Sequence, residues 1–317
     1  MMDNKPLILV AGPTAVGKTA LAVALAQQIN GEIVSADSMQ VYRKMNIGTA
    51  KATPAEMGGI PHHLIDCLEP DAPFSVAQFQ SMAQCALHHI YSQNKLPIVV
   101  GGTGFYINAL LRGTDFTAAH AADRAYRDNL AALADEKGRI YLHGMLKKAD
   151  PAAAAAIHPH NVKRVIRALE YIKQTGSSIA AHNAREKLKA SVYDAKVFII
   201  HCDRAALYEK INRRVDGMIA AGLLDEVAGL LAAGYGPGLA SMQALGYKEM
   251  IPVVQGAMPL AEAQALLKRN TRRFAKRQLT WFRRQCDGTW LDSGAYRDID
   301  ELCRHMVNIL MEMGMIS

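Results

Sequence analysis

The amino-acid sequence predicts an α/β protein with a parallel sheet core flanked by helices and a mostly helical insertion. Short apolar runs that suit buried parallel strands alternate with segments of helical periodicity, which is the pattern of a doubly wound sheet. A glycine-rich turn follows the first apolar run and opens a helix. Between about residue 118 and residue 189 the chain becomes rich in alanine and helical in pattern, which indicates an insertion into the core.

Five short apolar runs, several of them ending at Asp or Gly, are expected to form the sheet. They are Leu7–Ala11, Glu32–Ala36, His62–Ile65, Leu96–Val100 and Lys196–Ile200. Helices are expected from Lys18 onward, in Ala152–Ala156, and over the periodic runs Val162–Ile172, Ala205–Leu231 and Leu260–Arg284. We therefore divide the chain into an α/β core of residues 1–120 and 191–317 and a helical insertion domain of residues 121–190.

The composition excludes a disordered chain and favours an anionic partner. The 317 residues are 50% hydrophobic and 21% charged, which is typical of a folded globular protein. A net charge of +7 favours partners such as nucleic acid or phosphorylated small molecules.

Cysteine usage and hydropathy indicate the compartment. The five cysteines are widely spread and include no C-x-x-C pair, so neither a disulfide framework nor a zinc site is indicated. No apolar run approaches the roughly 18 residues of a membrane span, and the N-terminal residues do not resemble an export signal. We therefore expect a cytoplasmic protein without membrane contact, and a monomer, because no obligate protein partner is visible in the sequence.

The glycine-rich turn matches the complete P-loop pattern, which predicts a phosphate-binding site in a P-loop NTPase-like core. The motif reads Gly12-Pro13-Thr14-Ala15-Val16-Gly17-Lys18-Thr19. Its glycines let backbone N–H groups turn toward phosphate oxygens, and the helix that follows adds the positive end of its dipole. Lys18 supplies a mobile cation and the Thr19 hydroxyl can ligate Mg²⁺, so the expected ligand is a di- or triphosphate with Mg²⁺.

The other strand ends do not mark a hydrolytic site. A nucleotidase would place a Walker-B Asp at the end of a second core strand, but Val100 runs into Gly101-Gly102-Thr103-Gly104 instead. Asp37 and Asp66 do end strands, so a kinase that phosphorylates a small metabolite stays open at this point. The loop could equally hold a diphosphate while the chemistry takes place elsewhere.

Seven further motifs follow the P-loop in order. They are Asp37–Tyr42, Asn46–Lys51, Pro61–Asp66, Gly101–Tyr106, Arg164–Glu170, Gln243–Glu249 and Lys276–Arg283. Together they resemble the tRNA dimethylallyltransferase family over nearly the whole chain. The P-loop is shared with many unrelated enzymes, so the blocks D-S-M-Q-V-Y and K-R-Q-L-T-W-F-R carry most of the discrimination.

Two features depart from the pattern of this family. His158-Pro159-His160-Asn161 stands where the family usually has H-P-N-D before the R-x-x-R-A-L-E stretch. The Cys/His finger of many eukaryotic members is not found in the sequence. The resemblance therefore points to the bacterial type.

The resemblance implies transfer of a dimethylallyl group from dimethylallyl diphosphate to the exocyclic N6 amine of the adenosine 3′-adjacent to the anticodon in tRNA, with release of diphosphate. That amine is a weak nucleophile because its lone pair is conjugated into the ring, so a carboxylate that takes its proton helps, and Asp37 is the candidate. The P-loop amides, Lys18 and Mg²⁺ at Thr19 can absorb the charge on the departing diphosphate. The resemblance also assigns Thr103 to the site, and Arg127 and Arg214 as contacts of the diphosphate.

Residues expected to contact the tRNA anticodon stem-loop fall in four stretches. The first two are Asp37, Ser38, Met39 and Gln40, and in the insertion Lys163, Arg164, Val165, Ile166 and Arg167. The other two are Gln243, Ala244, Leu245, Gly246, Tyr247 and Lys248, and Lys276, Arg277, Gln278, Leu279, Thr280, Trp281, Phe282 and Arg283. Gln40 and Gln243 carry amides able to read base edges, although Gln40 could instead only brace the loop after Asp37.

The stretch Lys268–Cys286 concentrates the positive charge of the chain. It holds eight basic residues and no acidic one, against a net charge of +7 for the whole protein. Leu267, Phe274 and Trp281 form a separate apolar stripe on the same predicted helix. Such a helix can pack on one face and offer cations to a phosphate backbone on the other, although a charge run is often only a solvated surface.

Three alternatives stay open beside the family resemblance. A metabolite kinase would turn over ATP and have no use for the basic helix. A non-catalytic RNA-binding module would have no use for Lys18 and Thr19. An adenylate isopentenyltransferase that acts on free AMP would share the P-loop chemistry, but a mononucleotide needs no such basic surface.

Overall fold

The computed structural model describes residues 4–116 and 123–316. Counting only these residues, the chain divides into two compact units, one drawn from Met1–Leu111 and Val192–Ser317 and the other from Arg112–Ser191. Residue 118, near which the insertion was expected to begin, and residues 121 and 122 lie outside the described ranges.

The first unit is built on a six-stranded sheet. Its strands are β1 Pro6–Ala11, β2 Gly31–Ser35, β3 His62–His63, β4 Leu96–Gly101, β5 Asp194–His201 and β6 Thr289–Asp292. Their spatial order is β3-β2-β4-β1-β5-β6, and every pair of neighbouring strands is parallel. Nearly all residues of β1, β2 and β4 are buried, as expected for strands covered on both faces. The predicted α/β fold is therefore confirmed.

Two strands differ clearly from the prediction, whereas the other four match it to within two residues at each end. β3 ends at His63 rather than at Ile65, because Leu64 and Asp66 have positive φ angles of 62° and 54° that leave the extended conformation. β6 was not predicted, because it is a single four-residue run that closely follows a long helix. It pairs with β5 and extends that edge of the sheet.

Fourteen α-helices occur in the described residues. In chain order they are α1 Lys18–Gln28, α2 Pro54–Met57, α3 Val76–Ser92, α4 Gly104–Arg112, α5 Arg124–Lys137, α6 Arg139–Ala149, α7 Pro151–Ala156, α8 Val162–Thr175, α9 Ile179–Leu188, α10 Arg204–Ala220, α11 Leu223–Ala232, α12 Tyr247–Val254, α13 Leu260–Gln285 and α14 Ile299–Glu312. Helices α5 to α9 belong to the second unit, so the predicted helical insertion is observed.

The predicted helical run Ala205–Leu231 is two helices rather than one. α10 ends at Ala220, and Gly222, with a φ of 93°, adopts the left-handed conformation before α11 begins. Glycine takes this conformation without a steric penalty, so it breaks a helical pattern that otherwise continues in the sequence.

Hydrophobic clusters cover both faces of the sheet in the first unit. On one face, Leu21 of α1 and Met306 of α14 belong to the same buried cluster as Val10 of β1. On the other face, Phe79 of α3 and Leu110 of α4 are buried with β1 and β4 side chains. Burial of each such large side chain contributes about 1.5–3 kcal/mol, so the core fixes the positions of the strand ends.

The second unit has a separate helical core and a buried ion-pair cluster. Glu170 of α8 is fully buried and accepts hydrogen bonds from Arg127 Nε and Nη2, both at 2.8 Å, and from Arg167 Nη1 at 2.6 Å. Burial alone would raise the pKa of Glu170, but the hydrogen bonds and charges of the two arginines lower it overall. The carboxylate is thus compensated on both oxygens, which is what a buried charge requires.

In the described ranges no helix is long and apolar enough to cross a membrane. No three His, Cys, Asp or Glu side chains of those ranges gather into a group that could hold a metal ion. All five cysteines are free thiols.

Candidate active site

Three loops leave the carboxyl edge of the sheet side by side, after β1, β2 and β4. β4 lies between the other two strands, and its Gly101 pairs with Ala11 of β1. Just after β2, the Ala36 N–H donates a 2.7 Å hydrogen bond to the Val100 carbonyl of β4. A side chain on Gly101 would collide with the Ala36 backbone, so the close approach of these strand ends requires glycine. This edge is where open α/β sheets bind ligands.

The loop after β1 has the backbone of a phosphate cradle. Gly12 and Gly17 have φ angles of 144° and 97°, and Ala15 between them has a φ of 65°. A β-carbon on Gly12 would also strike the carbonyl oxygen of Ile200 in β5. Alternation of left-handed and ordinary residues turns successive N–H groups toward one centre, and the N-terminus of α1 adds its dipole. The loop is therefore shaped for an anion.

Two cationic side chains accompany this loop. Lys18 Nζ donates a 2.7 Å hydrogen bond to the Pro13 carbonyl, and Arg214 of α10 reaches the Thr14 hydroxyl at 3.4 Å. Burial lowers the pKa of Lys18 to about 7, the Arg214 charge acts in the same direction, and the Asp37 charge opposes both. Burial also lowers the pKa of Arg214, although a guanidinium keeps its proton in proteins. A bound diphosphate would therefore be stabilised by the positive charge of both side chains.

Asp37 lies in the loop after β2 with one carboxylate oxygen held and the other open. Its Oδ1 accepts hydrogen bonds from the backbone N–H groups of Met39 at 2.8 Å and Gln40 at 3.4 Å. Its Oδ2 has no hydrogen-bond partner among the residues that the structure describes. The Asp37 charge acts on both Lys18 and Arg214. A carboxylate fixed in this way can accept a proton at its open oxygen.

Two threonine hydroxyls flank the phosphate loop and the turn after β4. Thr19 is the second residue of α1. Thr103 precedes α4, and its carbonyl oxygen accepts the Tyr106 N–H at 2.9 Å. Neither hydroxyl bonds to another group within the described ranges, so both can bind a ligand.

The side chain of Gln40 is hydrogen-bonded at both ends within the protein. Ser35 Oγ donates to its Oε1 at 3.0 Å, and its Nε2 donates to the carbonyls of Thr49 and Ala50, each at 3.3 Å. The amide therefore fixes its own loop to the Asn46–Lys51 motif, which favours the bracing role over the reading of a base.

Lys51 joins three of the sequence motifs. Its ammonium group, on a side chain only 4% exposed, donates to the Tyr42 carbonyl at 2.9 Å and to Asn46 Oδ1 at 2.8 Å. It also forms an ion pair with Asp66 Oδ1 at 2.5 Å. The motifs Asp37–Tyr42, Asn46–Lys51 and Pro61–Asp66 thus form one cross-linked loop cluster.

Glu226 of α11 holds the same cluster through the backbone. Its carboxylate accepts the N–H groups of Asn46, Ile47 and Gly48 at 2.9, 2.8 and 3.1 Å. At Gly48 a β-carbon would enter the ring of Tyr247, so only glycine allows this packing. Three successive N–H groups on one carboxylate are charge-assisted hydrogen bonds, which are stronger than neutral ones.

The stretch Gln243–Lys248 offers few side chains to a partner. Only Gln243 and Lys248 are exposed, Tyr247 is fully buried, and Ala244 is almost so. Gln243 Nε2 donates a 2.7 Å hydrogen bond to the Pro237 carbonyl. In this stretch, the side chains able to contact RNA directly are therefore those of the two exposed residues.

Helix α13 separates a buried face from a cationic face. Ala275, Gln278 and Phe282 are buried, so the aromatic ring of Phe282 packs in the core instead of meeting RNA. The exposed cations are Arg269, Arg273, Lys276, Arg277, Arg283 and Arg284, and none of them has an ion-pair partner in the part of the chain described. By contrast, Lys268 is paired with Asp216, and Arg272 donates to Asn212.

The buried face of α13 is tied to the phosphate loop and to the turn after β4. Gln278 Oε1 accepts the Thr14 N–H at 2.9 Å, and its Nε2 donates to the Gly102 carbonyl at 2.9 Å. The Trp281 ring lies where a β-carbon of Gly104 would stand. Among the predicted RNA-contact residues of α13, these two side chains face the sheet edge.

In the second unit the predicted RNA-contact stretch is also divided by burial. Lys163 and Arg164 are exposed, whereas Val165 and Ile166 belong to the helical core. Arg127, predicted as a diphosphate contact, is held by Glu170 within this unit.

Sequence reasoning missed the roles of Glu226, Lys51 and Gln278. Lys51 lies inside a quoted motif, but nothing in its neighbours along the chain indicates that it is buried. Glu226 stands in a helical run where a solvated surface acid is the ordinary expectation. Its neighbours along the chain give no signal of the backbone contacts that it makes.

Comparisons with known sequences identify relatives of this chain. A sequence model described as IPP transferase matches residues 40–285, and one described as isopentenyl transferase matches residues 5–69. The chain belongs to the IPP transferase family. The tRNA dimethylallyltransferase of Lachnoclostridium phytofermentans is 52% identical over 313 residues, which cover 99% of this chain and 100% of the relative. The one from an Exiguobacterium species is 50% identical over 92% of each chain.

Solved structures of IPP transferase relatives also match. The tRNA isopentenylpyrophosphate transferase of Bacillus halodurans is 46% identical, with a TM-score of 0.72 and coverage of 98% of both chains. The structure of a eukaryotic dimethylallyltransferase acting on tRNA is 28% identical, with a TM-score of 0.82, and covers 98% of this chain and 80% of that one.

Proposed function

We propose that this member of the IPP transferase family transfers a dimethylallyl group from dimethylallyl diphosphate to the N6 amine of the adenosine 3′-adjacent to the anticodon in tRNA. The observation that carries the proposal is the open Oδ2 of Asp37 at the same sheet edge as an anion-binding loop. A base beside a diphosphate site suits alkylation of an amine with diphosphate as the leaving group, and membership of the IPP transferase family favours this reaction over phosphoryl transfer.

The donor binds with its diphosphate in the phosphate loop. The turned backbone N–H groups, Lys18 and Arg214 supply the positive potential. Arg127, by contrast, remains a sequence-based assignment, because a diphosphate would have to compete with Glu170 for its guanidinium.

Mg²⁺ fits this site with few protein ligands. In phosphate sites Mg²⁺ keeps several waters and takes other ligands from the substrate, so one protein oxygen is enough. The unpartnered Thr19 hydroxyl is that oxygen, at the position of the P-loop where a Ser or Thr ligates the ion. When bound, the ion adds positive charge that stabilises the departing diphosphate.

The chemistry is a single alkyl transfer. N6 of the adenosine forms a bond to C1 of the dimethylallyl group while the C1–O bond breaks, and the bonding electron pair leaves with the diphosphate. Lys18 and Arg214, both partly buried, stabilise that charge. Asp37 Oδ2 accepts the proton that N6 loses. The Thr103 hydroxyl, after β4, is available to orient the amine.

The tRNA is proposed to lie across the cationic face of α13, with Lys163 and Arg164 as further backbone contacts. The adenosine must leave its stack to reach the donor, which costs a few kcal/mol that these contacts offset. We place the reaction in the cytoplasm, where tRNA is found and free thiols such as those of this chain persist, and expect a monomer.

A transfer assay with labelled dimethylallyl diphosphate, bulk bacterial tRNA, AMP and ATP tests the proposal. We expect label in tRNA with the wild type and almost none with Asp37→Asn. Label in AMP instead of tRNA would support an adenylate isopentenyltransferase. Turnover of ATP with no label in either acceptor would support a metabolite kinase.

A further inference from the structure

Gln278 sits on the side of α13 opposite to the exposed cations. It is 8% exposed, and its neighbours along the same face, Ala275 and Phe282, are fully buried. A polar side chain at such a position is costly unless it is fully hydrogen-bonded. Its partners therefore indicate why a polar residue stands there.

Those partners belong to two different loops of the donor site. Gln278 Oε1 accepts the backbone N–H of Thr14 in the phosphate loop at 2.9 Å. Gln278 Nε2 donates to the carbonyl of Gly102, in the turn after β4, at 2.9 Å. One carboxamide thus joins the loops on two neighbouring strands, β1 and β4.

Gly102 lies directly against the Gln278 carboxamide. A β-carbon there would collide with the Gln278 carboxamide and would also lie 3.3 Å from the Gly12 carbonyl oxygen. The turn after β4, the phosphate loop and α13 therefore meet at this amide.

We propose that Gln278 is a positioning residue for the prenyl donor: it fixes the spacing between Thr14 and Gly102 and so sets the shape of the diphosphate cradle. The inference rests on the proposed function for the identity of the donor. The inference assigns to Gln278 a role in donor binding, although this residue lies within a stretch expected from the sequence to contact RNA.

The same geometry argues against a direct contact of Gln278 with RNA. Both ends of its carboxamide are occupied by protein backbone, and the exposed side chains of α13 lie on the other face of the helix. A base that reached this amide would have to displace the phosphate loop.

Two binding experiments separate the two roles. Inorganic diphosphate binding is measured without RNA, and tRNA binding is measured without donor, for the wild type, Gln278→Leu and Gly102→Ala. Gly102→Ala disturbs the contact from its other side, so it does not alter the surface of α13. Gln264→Leu is the matched control, because it makes the same chemical change on α13 at an amide that bonds to Asp216.

We expect Gln278→Leu and Gly102→Ala to weaken diphosphate binding by about tenfold, the effect of about 1.4 kcal/mol. Both should leave tRNA affinity within about twofold of the wild type, as should Gln264→Leu. Loss of tRNA affinity with normal diphosphate binding would overturn the inference, as would equal losses of both or no change in either. If the wild type binds diphosphate but does not modify tRNA, the proposed function fails while the inference stands.

Discussion

Tyr247 donates a 2.6 Å hydrogen bond to the carboxylate of Glu226, the same group that accepts three backbone N–H groups from the loop at residues 46–48. Burial, together with the Glu226 charge, raises the pKa of the Tyr247 phenol far above its ordinary value. The phenol therefore stays a donor at every physiological pH. Gln40 and Lys51 bond to the same loop cluster. Tyr247 and Glu226 therefore help to fix the cluster that carries Asp37.

Replacement of Glu226 should destabilise the protein more than replacement of its phenol partner. Glu226→Ala removes the acceptor of the buried Tyr247 hydroxyl and of three N–H groups that are exposed or partly buried. An unsatisfied buried group costs about 1–3 kcal/mol, and the loss of the three charge-assisted N–H bonds adds to that cost. Tyr247→Phe removes one hydrogen bond and should cost about 1–2 kcal/mol. Urea unfolding measures both. Tyr235→Phe, which removes a partly buried hydrogen bond to Glu69, is the control and should change stability less than Glu226→Ala. Equal effects of Glu226→Ala and the control would contradict this account.

Asp37→Asn should reduce turnover by about two orders of magnitude or more while tRNA affinity stays within a few-fold. The amide oxygen can still accept the Met39 N–H, so the loop keeps its shape, but the side chain can no longer take a proton. A single-turnover transfer assay measures the loss of rate, and a tRNA binding assay measures the affinity. A near-normal transfer rate would remove Asp37 from the mechanism.

Diphosphate affinity should fall as pH rises above 7. Lys18 has a pKa of about 7 in the ligand-free protein, mainly because of burial, and a bound anion raises it again. Binding therefore takes up a proton between these two pKa values, and affinity falls by up to about tenfold per pH unit in that window. Calorimetry with dimethylallyl diphosphate between pH 7.5 and 9 tests this, because the last ionisation of a phosphate ester lies near pH 6, below that window. The Lys18→Met variant should bind diphosphate weakly, and its affinity should not change with pH in this window. A pH dependence equal to that of the wild type would exclude Lys18 as the source of the effect.

Thr19→Val should raise the Mg²⁺ concentration needed for half-maximal transfer, whereas Thr19→Ser should behave nearly as the wild type. The pair separates loss of the hydroxyl from loss of the methyl group, because Val keeps the shape and Ser keeps the oxygen. Titration of transfer against Mg²⁺, with tRNA binding measured in parallel, provides the readout. If both variants respond to Mg²⁺ alike, Thr19 does not ligate the ion.

A triple variant with Gln in place of Lys276, Arg277 and Arg283 should bind all RNAs more weakly. The salt dependence of that binding should also be flatter than in the wild type. Each lost phosphate contact should lower the slope of log K against log salt by about 0.7–0.9. The matched control replaces Lys210, Arg297 and Arg304, which are exposed cations outside the predicted RNA stretches. An unchanged slope in the first triple variant would mean that its charges only solubilise α13.

Sequence patterns predicted those features of the structure that depend only on residues close together along the chain. The P-loop was found because its spacing defines a backbone conformation, and the cations of α13 because they recur on one helical face. The bond between Gln278 and Thr14 joins residues 264 positions apart, and that between Glu226 and Gly48 joins residues 178 apart. No pattern within a window of the chain reports such pairings.

Burial explains the remaining differences. Val165 and Phe282 lie in stretches expected to contact RNA, but a helix that presents cations on one side must pack apolar residues on the other. A motif quoted as a continuous block therefore mixes residues that meet a ligand with residues that hold the helix. Only the three-dimensional structure assigns each to its face.

The opposed faces of α13 have a practical consequence for engineering. Its outward cations make no ion pairs within the described structure, whereas its inward residues Gln278 and Trp281 contact the phosphate loop and the glycine turn. If the proposed function holds, side chains on the outward face can therefore be exchanged to tune the affinity for RNA without disturbing the phosphate loop. Variants designed to change overall RNA affinity belong on that face, and the inward positions should be left constant.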